Sequence, residues 1–511
     1  MYSKVYSAAI RGVSMEIVSV ETDVSDGLPS FEMVGLLNSE VKEAKERVRS
    51  AIKNTGYLLP PKRITVSLSP ADIRKEGSSF DLPIAVGILN SIGLLGRSIE
   101  DRKRNEEILI AGELSLSGKV LKMNGVLPMI LAAREKGIKN FVVPWENAAE
   151  GSIIEDVNVY GVKDLRDTID FLNGENRKPE GHIDFGEMYR LFYAQNKSEY
   201  DFADINGQET VKRAAKIAAA GMHHMLLVGA PGSGKSMIAK RIPGILPRPD
   251  MEECMEITKI HSIAGELNDK PVMMSRPFRA PHHTITGRAL VGGGINPKPG
   301  EITLAHRGVL FLDELAEFKR DTIDALRQPI EDGKVVINRI GGSYEFPAKT
   351  MLVAATNPCK CGYYPDRNRC SCSEIQVKNY IGKISGPILD RIDICIHAPE
   401  VQAEDIGRRS GENTKNIREQ VEKVREIQRK RYINENYRFN SEVPSSDVEK
   451  YCRLTDKAKK LMDKVYTNLR LSVRAYYKIV RVARTIADLD CSEIINEKHI
   501  AEAVGYRTEI F

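Results

Sequence analysis

The stretch that most limits what this chain can fold into is Met225-Leu226-Leu227-Val228-Gly229-Ala230-Pro231-Gly232-Ser233-Gly234-Lys235-Ser236. A short apolar run leads into G-x-x-x-x-G-K-S, and an amphipathic stretch from Met237 to Leu246 follows. Strand, glycine-rich turn and helix, in that order, are the setting a phosphate-binding loop requires. Gly229, Gly232 and Gly234, with Ser233 between the last two, let the backbone wrap closely round an anion with its N–H groups inward. The helix that follows begins with its positive end at the same spot. Lys235 is placed to reach the β- and γ-phosphates of ATP, and the Ser236 hydroxyl to ligate Mg²⁺.

A second motif belongs to the same chemistry. Gly308-Val309-Leu310-Phe311-Leu312-Asp313-Glu314 reads as an apolar strand ending in two carboxylates. Asp313 is placed to hold Mg²⁺, directly or through water, and Glu314 to polarise the water that attacks a γ-phosphate. On an arbitrary strand the two acids would mark a surface turn. Beside a phosphate-binding loop they supply a metal ligand and a base. Thr350–Ala355 predicts the next strand, with Asn357 just beyond its end. These segments predict an α/β fold with a parallel sheet.

The chain has 511 residues, of which 42% are hydrophobic and 28% charged. That length predicts two to four domains, and that composition a soluble globular protein. No apolar run reaches the length of a membrane span, and the first twenty or so residues lack a secretory apolar core, so a cytoplasmic location is expected. The net charge of +5 leans only slightly toward anionic partners.

Before the phosphate-binding loop, alternation at Val13, Met15, Ile17, Val18 and Val20 predicts strand. Ser39–Asn54 predicts a helix with Val41, Ala44, Val48, Ala51 and Ile52 on one face. A strand at Arg63–Leu68 and an apolar helix at Asp81–Leu95 follow, then short strands and a helix at Val126–Lys136. This mixture predicts an α+β domain over residues 1–172, followed by a polar linker with a short helix over 173–200. The core is expected over 201–400. Residues 401–511 read as helical, beginning with a charged helix whose apolar face carries Ile417, Val421, Val424 and Ile427.

Four of the eight cysteines, Cys359, Cys361, Cys370 and Cys372, form C-x-C-x₈-C-x-C in one loop. Four thiolates can close a tetrahedron around Zn²⁺, so a structural zinc site is expected, with a redox switch as the alternative. Cys254, Cys395, Cys452 and Cys491 are scattered and read as small apolar groups. His282-His283 is expected to be structural or pore-lining, since neighbours on a strand point to opposite faces. Glu331–Pro347 reads as a hairpin turning at Gly341-Gly342, with Lys334 at its base, Arg339 by the tip and Tyr344 able to stack on a base.

Several stretches carry family resemblances. GELSLSGKVLKMNGVLPMILAAREKGIKNFVVPWEN resembles the proteolytic domain of Lon and the C-terminal domain of RadA, both of ribosomal-S5-like fold. Ser79 falls at or near the position of the Lon nucleophile, but Leu127 stands where its lysine would be. An apolar side chain cannot deprotonate a serine, so a non-proteolytic relative is implied. Asp201–Ile205 with Asn206-Gly207-Gln208-Glu209 resembles the start of AAA+ ATPase modules. In that family Asn357 would be sensor 1, orienting the attacking water. Arg391, in Ile388–Asp393, resembles the arginine finger that reaches a neighbouring subunit's γ-phosphate; the alternative is an ion pair with Asp390 or Asp393. Ser472–Tyr476 resembles sensor 2, which would put Arg474, rather than Arg470, at the γ-phosphate.

The whole chain resembles the YifB/ComM family of magnesium-chelatase-like AAA+ ATPases. The most specific stretches are Arg279–Thr284, Gly292-Gly293-Gly294 and Asn357–Tyr363. The resemblance implies an S5-like N-terminal domain, an AAA+ core with insertion hairpins, a helical lid and assembly into a ring, most plausibly a hexamer. It also implies a DNA-dependent helicase promoting branch migration during recombination or natural transformation. An ATP-driven protein remodeller of chelatase or Lon type is the second reading, and a non-motor nucleotide switch the third. Residues 331–347 lie where hexameric helicases of the same clade carry a pore hairpin.

Overall fold

In the computed structural model the N-terminal alternation resolves into two long antiparallel strands, Tyr2–Arg11 and Ser14–Ser25. Val13 lies in the turn between them. The structure describes residues 1–96, 105, 107–175, 177–195, 200–268, 270–339, 342–401, 404 and 412–508. It divides into two units. One joins Met1–Gln195 with Cys254–Met274 and Ile337–Glu345, and the other joins Asn196–Glu253 with Ser275–Val336 and Phe346–Phe511.

The first unit is built on a mixed sheet in the order Ser30–Val34, Arg63–Ser69, Ser14–Ser25, Tyr2–Arg11, Ile108–Ile110, Asn140–Pro144, Asn158–Val162. The helix Ser39–Asn54 buries Val41, Ala44, Val48, Ala51 and Ile52, and Asn38 caps it by accepting from the Val41 N–H. The helix expected over Asp81–Leu95 ends at Ser91, and the chain then passes through Gly93 at φ +77°. Leu127 is fully buried at the start of the helix Val126–Glu135. The short helix expected within residues 173–200 is present as Phe185–Gln195. Phe185, Met188, Tyr189 and Phe192, on the helix Phe185–Gln195, pack with Ile153, Cys254, Val272 and Met274 in a small apolar cluster.

The second unit holds a five-stranded sheet in the order Phe278–Arg279, Val309–Leu312, Met351–Thr356, Met225–Val228, Ile394–His397. Every neighbouring pair is parallel, with Leu227 opposite both Ala355 and Ile396. Burial at successive positions, hence on both faces, explains why these strands read as continuous apolar runs rather than alternating ones. The C-terminal region is helical, with helices Thr414–Arg431, Asp456–Asn468, Val473–Leu489 and Glu497–Thr508. On the first of these, Ile417, Val421 and Val424 are buried as expected, but Gln428, not Ile427, completes the buried face. Its amide donates to the Ala220 carbonyl at 2.8 Å and accepts from the Asn440 N–H at 3.0 Å, which satisfies a polar group that composition alone would place outside.

One buried ion pair fixes the helix Val473–Leu489 to the sheet. Lys478 Nζ lies 2.7 Å from Asp393 Oδ1 and donates to the Arg391 carbonyl at 2.6 Å, while the His224 N–H donates to Asp393 Oδ2 at 3.0 Å. Burial pushes the Asp393 carboxyl up, but the Lys478 ammonium and then His223 outweigh it and hold the group well below the usual carboxylate range. A depressed carboxylate stabilises the fold above its unfolded pKa of about 4 and loses that contribution as pH falls further. Lys478→Met leaves the buried carboxylate uncompensated and is expected to lower stability at pH 7 by about 3–5 kcal/mol. In denaturant melts the variant should also lose less stability than wild type on acidification from pH 5 to 3.

Candidate nucleotide and metal sites

In open α/β sheets ligands sit beyond the carboxyl ends of parallel strands. Here those ends are Val228, Leu312, Thr356 and His397. The glycine-rich loop leads from Val228 into the helix Lys235–Ile245. Gly232 and Gly234 both take φ +80°, a left-handed conformation that glycine adopts without strain. A side chain at Gly229 would meet the Ala398 carbonyl oxygen at 2.5 Å. Lys235 Nζ donates to the carbonyls of Gly229 and Ala230, each at 2.8 Å, and to Asn357 Oδ1 at 3.2 Å. Burial lowers the Lys235 pKa, and the charges of Asp313 and Glu314 push it back up. Ser236 Oγ donates to Asp313 Oδ2 at 2.6 Å, and Asp313 Oδ1 accepts from the Glu314 N–H at 2.9 Å.

Lys235, Ser236, Asp313, Glu314 and Asn357, drawn from three segments far apart in sequence, thus meet at one end of the sheet. A hydroxyl and a carboxylate in contact form a hard oxygen donor set, which suits Mg²⁺. Among the described residues the buried Ser233 hydroxyl has no hydrogen-bond partner, and the Ser233 carbonyl accepts from Gln208 Nε2 at 2.7 Å. Glu314 is exposed and takes φ +51°, an uncommon conformation for a non-glycine residue that recurs at functional sites.

The histidine pair corrects one expectation. The strand Phe278–Arg279 stops before it, so His282 and His283 lie in a turn with their ring centroids 4.0 Å apart rather than on opposite faces. His283 Nδ1 comes within 3.3 Å of Glu314 Oε2. Nothing in the sequence signals that contact, because its partners are thirty or so positions apart and no shared motif links them. Arg279 of the same stretch grips Glu301 with two hydrogen bonds, at 2.6 and 2.8 Å.

Arg391 and Arg474 come together on one carboxylate. Both guanidinium groups pair with the Glu331 carboxylate, Arg391 on Oε2 and Arg474 on Oε1. Arg391 also donates to the Pro387 carbonyl at 2.8 Å. Asp393, one of its two foreseen acidic neighbours, is instead engaged by Lys478 and the His224 N–H. Arg470 is exposed at φ +48°.

The sulfur atoms of Cys359, Cys361, Cys370 and Cys372 all lie within 4.8 Å of one another. The Cys359–Cys361, Cys361–Cys370 and Cys359–Cys370 separations are 3.3, 3.5 and 3.8 Å, and all four are free thiols. Tetrahedral Zn²⁺ with Zn–S of about 2.3 Å requires sulfurs about 3.8 Å apart, so the donor set and its spacing fit that ion. The Tyr363 N–H, with hydrogen bonds from the neighbouring thiols, pushes the Cys361 thiol down to about 6. The hairpin strands are Lys334–Arg339 and Gly342–Pro347, while Ile340 and Gly341 at its tip lie outside the described residues. Arg339 is exposed, Tyr344 half-buried, and Ile337–Glu345 group with the first unit.

Comparison with known proteins places this arrangement. The family described as magnesium chelatase, subunit ChlI, matches residues 201–406, and its C-terminal part matches residues 411–507. The family described as subunit ChlI of Mg-chelatase matches residues 20–147. The competence protein ComM of Haemophilus influenzae is 43% identical over 99% of this chain and 97% of its own length. The chain belongs to the YifB/ComM family. YifB of Escherichia coli is 38% identical over 99% of this chain and 97% of its own length. A magnesium-chelatase 38 kDa subunit of Cereibacter sphaeroides is 29% identical over 32% of this chain and 54% of its own length. The family is of the magnesium-chelatase ChlI ATPase type, which implies ATP and Mg²⁺. Among the described residues no helix is long and apolar enough to cross a membrane.

His283 gives this site its most direct test. A neighbour within 3.3 Å that orients Glu314 is worth about 1–1.5 kcal/mol, or roughly tenfold in rate. His283→Ala should therefore lower ATP turnover about tenfold while leaving KM and the melting temperature near wild type. Steady-state kinetics alongside a thermal melt will show whether kcat falls alone.

Proposed function

We propose that this protein is an ATP-hydrolysing AAA+ ring motor that moves on DNA. The observation that carries the reading is the Ser236–Asp313 hydrogen bond beside the Lys235–Asn357 contact. It brings a phosphate-binding cation, two metal-ligating oxygens and a water-orienting amide to one place. In this reading Gly229, Gly232, Ser233, Gly234 and Lys235 grip the triphosphate of ATP. Ser236 and Asp313 hold Mg²⁺, which would supply charge neutralisation for the β- and γ-phosphates. Glu314 polarises the attacking water, and Asn357 orients it.

Arg391 and Arg474 complete the site from a neighbouring subunit. Their shared pairing with Glu331 supports this, because two arginines on one exposed carboxylate form a cationic patch ready to exchange that carboxylate for a partner's phosphate. Such completion calls for a closed ring, and six subunits is the state we assign. Residues 1–172 are read as an S5-like, non-proteolytic domain, and the protein as cytoplasmic. The four cysteines hold a structural Zn²⁺.

The DNA assignment rests on kinship with a competence protein and on the Lys334–Pro347 hairpin, where exposed Arg339 is suited to a phosphate backbone and Tyr344 to a base. Promotion of branch migration in recombination or natural transformation is the activity we infer. ATP turnover measured alone and with single-stranded DNA, branched DNA or unfolded protein tests it. Stimulation by DNA is expected, greatest with branched substrates. Stimulation by protein and not DNA would instead favour a chelatase-like or Lon-like remodeller. Glu314→Gln should bind ATP but not hydrolyse it, whereas Lys235→Ala should lose binding itself, since one group acts on the water and the other on the ground-state phosphates.

A further inference from the structure

The four-cysteine loop meets the phosphate-binding loop where Gly362 packs on Pro231, and nothing in the ATPase chemistry requires it to. Gly362, between Cys361 and Cys370, takes φ +91°, and a Cβ on it would lie 2.5 Å from Pro231 Cδ and 2.7 Å from Pro231 Cγ. The cysteine loop therefore lies flush on the proline at the crown of the phosphate-binding loop. The Gly362 N–H donates to Cys359 Sγ at 3.3 Å, so the residue in contact with Pro231 is itself hydrogen-bonded to the thiol cluster.

Two further connections reinforce this one. Cys359 follows Asn357 by two residues, and Asn357 is the side chain that Lys235 holds at 3.2 Å. On the other flank Arg369, next to Cys370, binds both oxygens of Glu400 at 2.7 and 2.8 Å and stacks over Tyr363 at 4.0 Å. Glu400 adjoins Pro399, whose carbonyl accepts from Gln208 Nε2 at 2.8 Å, and the same amide donates to Ser233 of the phosphate-binding loop at 2.7 Å. Ala230, Tyr363, Arg369 and Glu400 line one cavity of about 340 Å³.

The loop has only a small apolar core of its own. Its own core is Cys359, Cys370, Cys372 and Val377, with Cys361, Tyr363, Tyr364 and Ile381 packed at the edge. With three of its four core residues being cysteine, its order depends on what binds the sulfurs, because a metal on four thiolates contributes its binding energy as folding energy.

We propose that the metal-loaded cysteine loop is a brace that sets the phosphate-binding loop, with Gly362 as its point of contact on Pro231, so that zinc occupancy controls nucleotide affinity. The proposal rests on reading Gly229–Ser236 as the ATP site. Gly362 and the cysteines act through Pro231 and touch no substrate, which makes them positioning residues. Two perturbations separate the brace from a general role in folding. One removes the metal and leaves the sequence intact. The other, Gly362→Ala, leaves all four thiols and crowds the contact.

The experiment measures Mg²⁺-dependent binding of a fluorescent ATP analogue to the full chain, with zinc content and a thermal melt recorded on each sample. Wild type as purified should carry about one zinc per chain and bind the analogue, while Lys235→Ala should not. Chelated wild type is expected to bind at least tenfold more weakly and to recover when zinc is returned. Gly362→Ala should keep its zinc and also bind at least tenfold more weakly. Where the alanine variant does not fold, the chelation and return of zinc decides alone. Zinc-free protein that binds as tightly as loaded protein overturns the brace, and so does tight binding by a folded Gly362→Ala. Wild type that binds no analogue with its zinc in place, or binds no more tightly than Lys235→Ala, refutes the ATP-site reading instead.

Discussion

The site depends on one buried cation and the oxygens gathered round it. Lys235 is held by two backbone carbonyls of its own loop and by Asn357 from the neighbouring strand. An ammonium taken out of water needs such partners, and burial already depresses its pKa. The parallel register of Met225–Val228 with Met351–Thr356 makes the arrangement possible, since it brings the ends of two strands level and puts Asn357 beside the lysine. On the other side of Met351–Thr356 the strand Val309–Leu312 delivers Asp313 to Ser236. A central sheet of buried strands is stiff, so it can hold these groups within hydrogen-bond distance of one another.

Glu331 and Asp393 carry the same logic into the helical region. Lys478 ties the helix Val473–Leu489 to Asp393 and to the backbone of Arg391, and that helix opens with Arg474. The two arginines are thus fixed to one another through a buried ion pair and a shared surface carboxylate. The Asp393 pairing is buried and strong; on Glu331 the Arg474 pairing is exposed and contributes little to stability, while the Arg391 side chain is itself largely covered. Such a mount suits the role proposed for these arginines at a partner's phosphate.

Much of this was legible in the sequence where a local pattern carries its own chemistry. The glycine loop, the apolar strand ending in Asp313-Glu314, the helix Ser39–Asn54 and the clustered cysteines each announce themselves within fifteen residues or so. What was hidden depends on contacts between distant segments. His283 meeting Glu314, and Glu331 collecting both arginines, are set by tertiary packing and leave no periodicity to read. Gln428 was passed over because its burial is compensated by backbone groups from Ala220 and Asn440. The short helix expected within residues 173–200 is present as Phe185–Gln195, but its apolar face finds its partner in the distant segment Cys254–Met274, which polar composition hides.

The central claim is that a lysine-centred site in one subunit is completed by an arginine from the next. Mixing two inactive variants tests it most directly. Arg391→Ala should bind ATP without turning it over, and Lys235→Ala should fail to bind. Combined in varying ratios, they should regain ATPase activity, because some interfaces then pair an intact phosphate-binding loop with an intact Arg391, with a maximum near equal amounts. Full activity of Arg391→Ala alone, or no recovery at any ratio from variants that assemble together, would contradict the account.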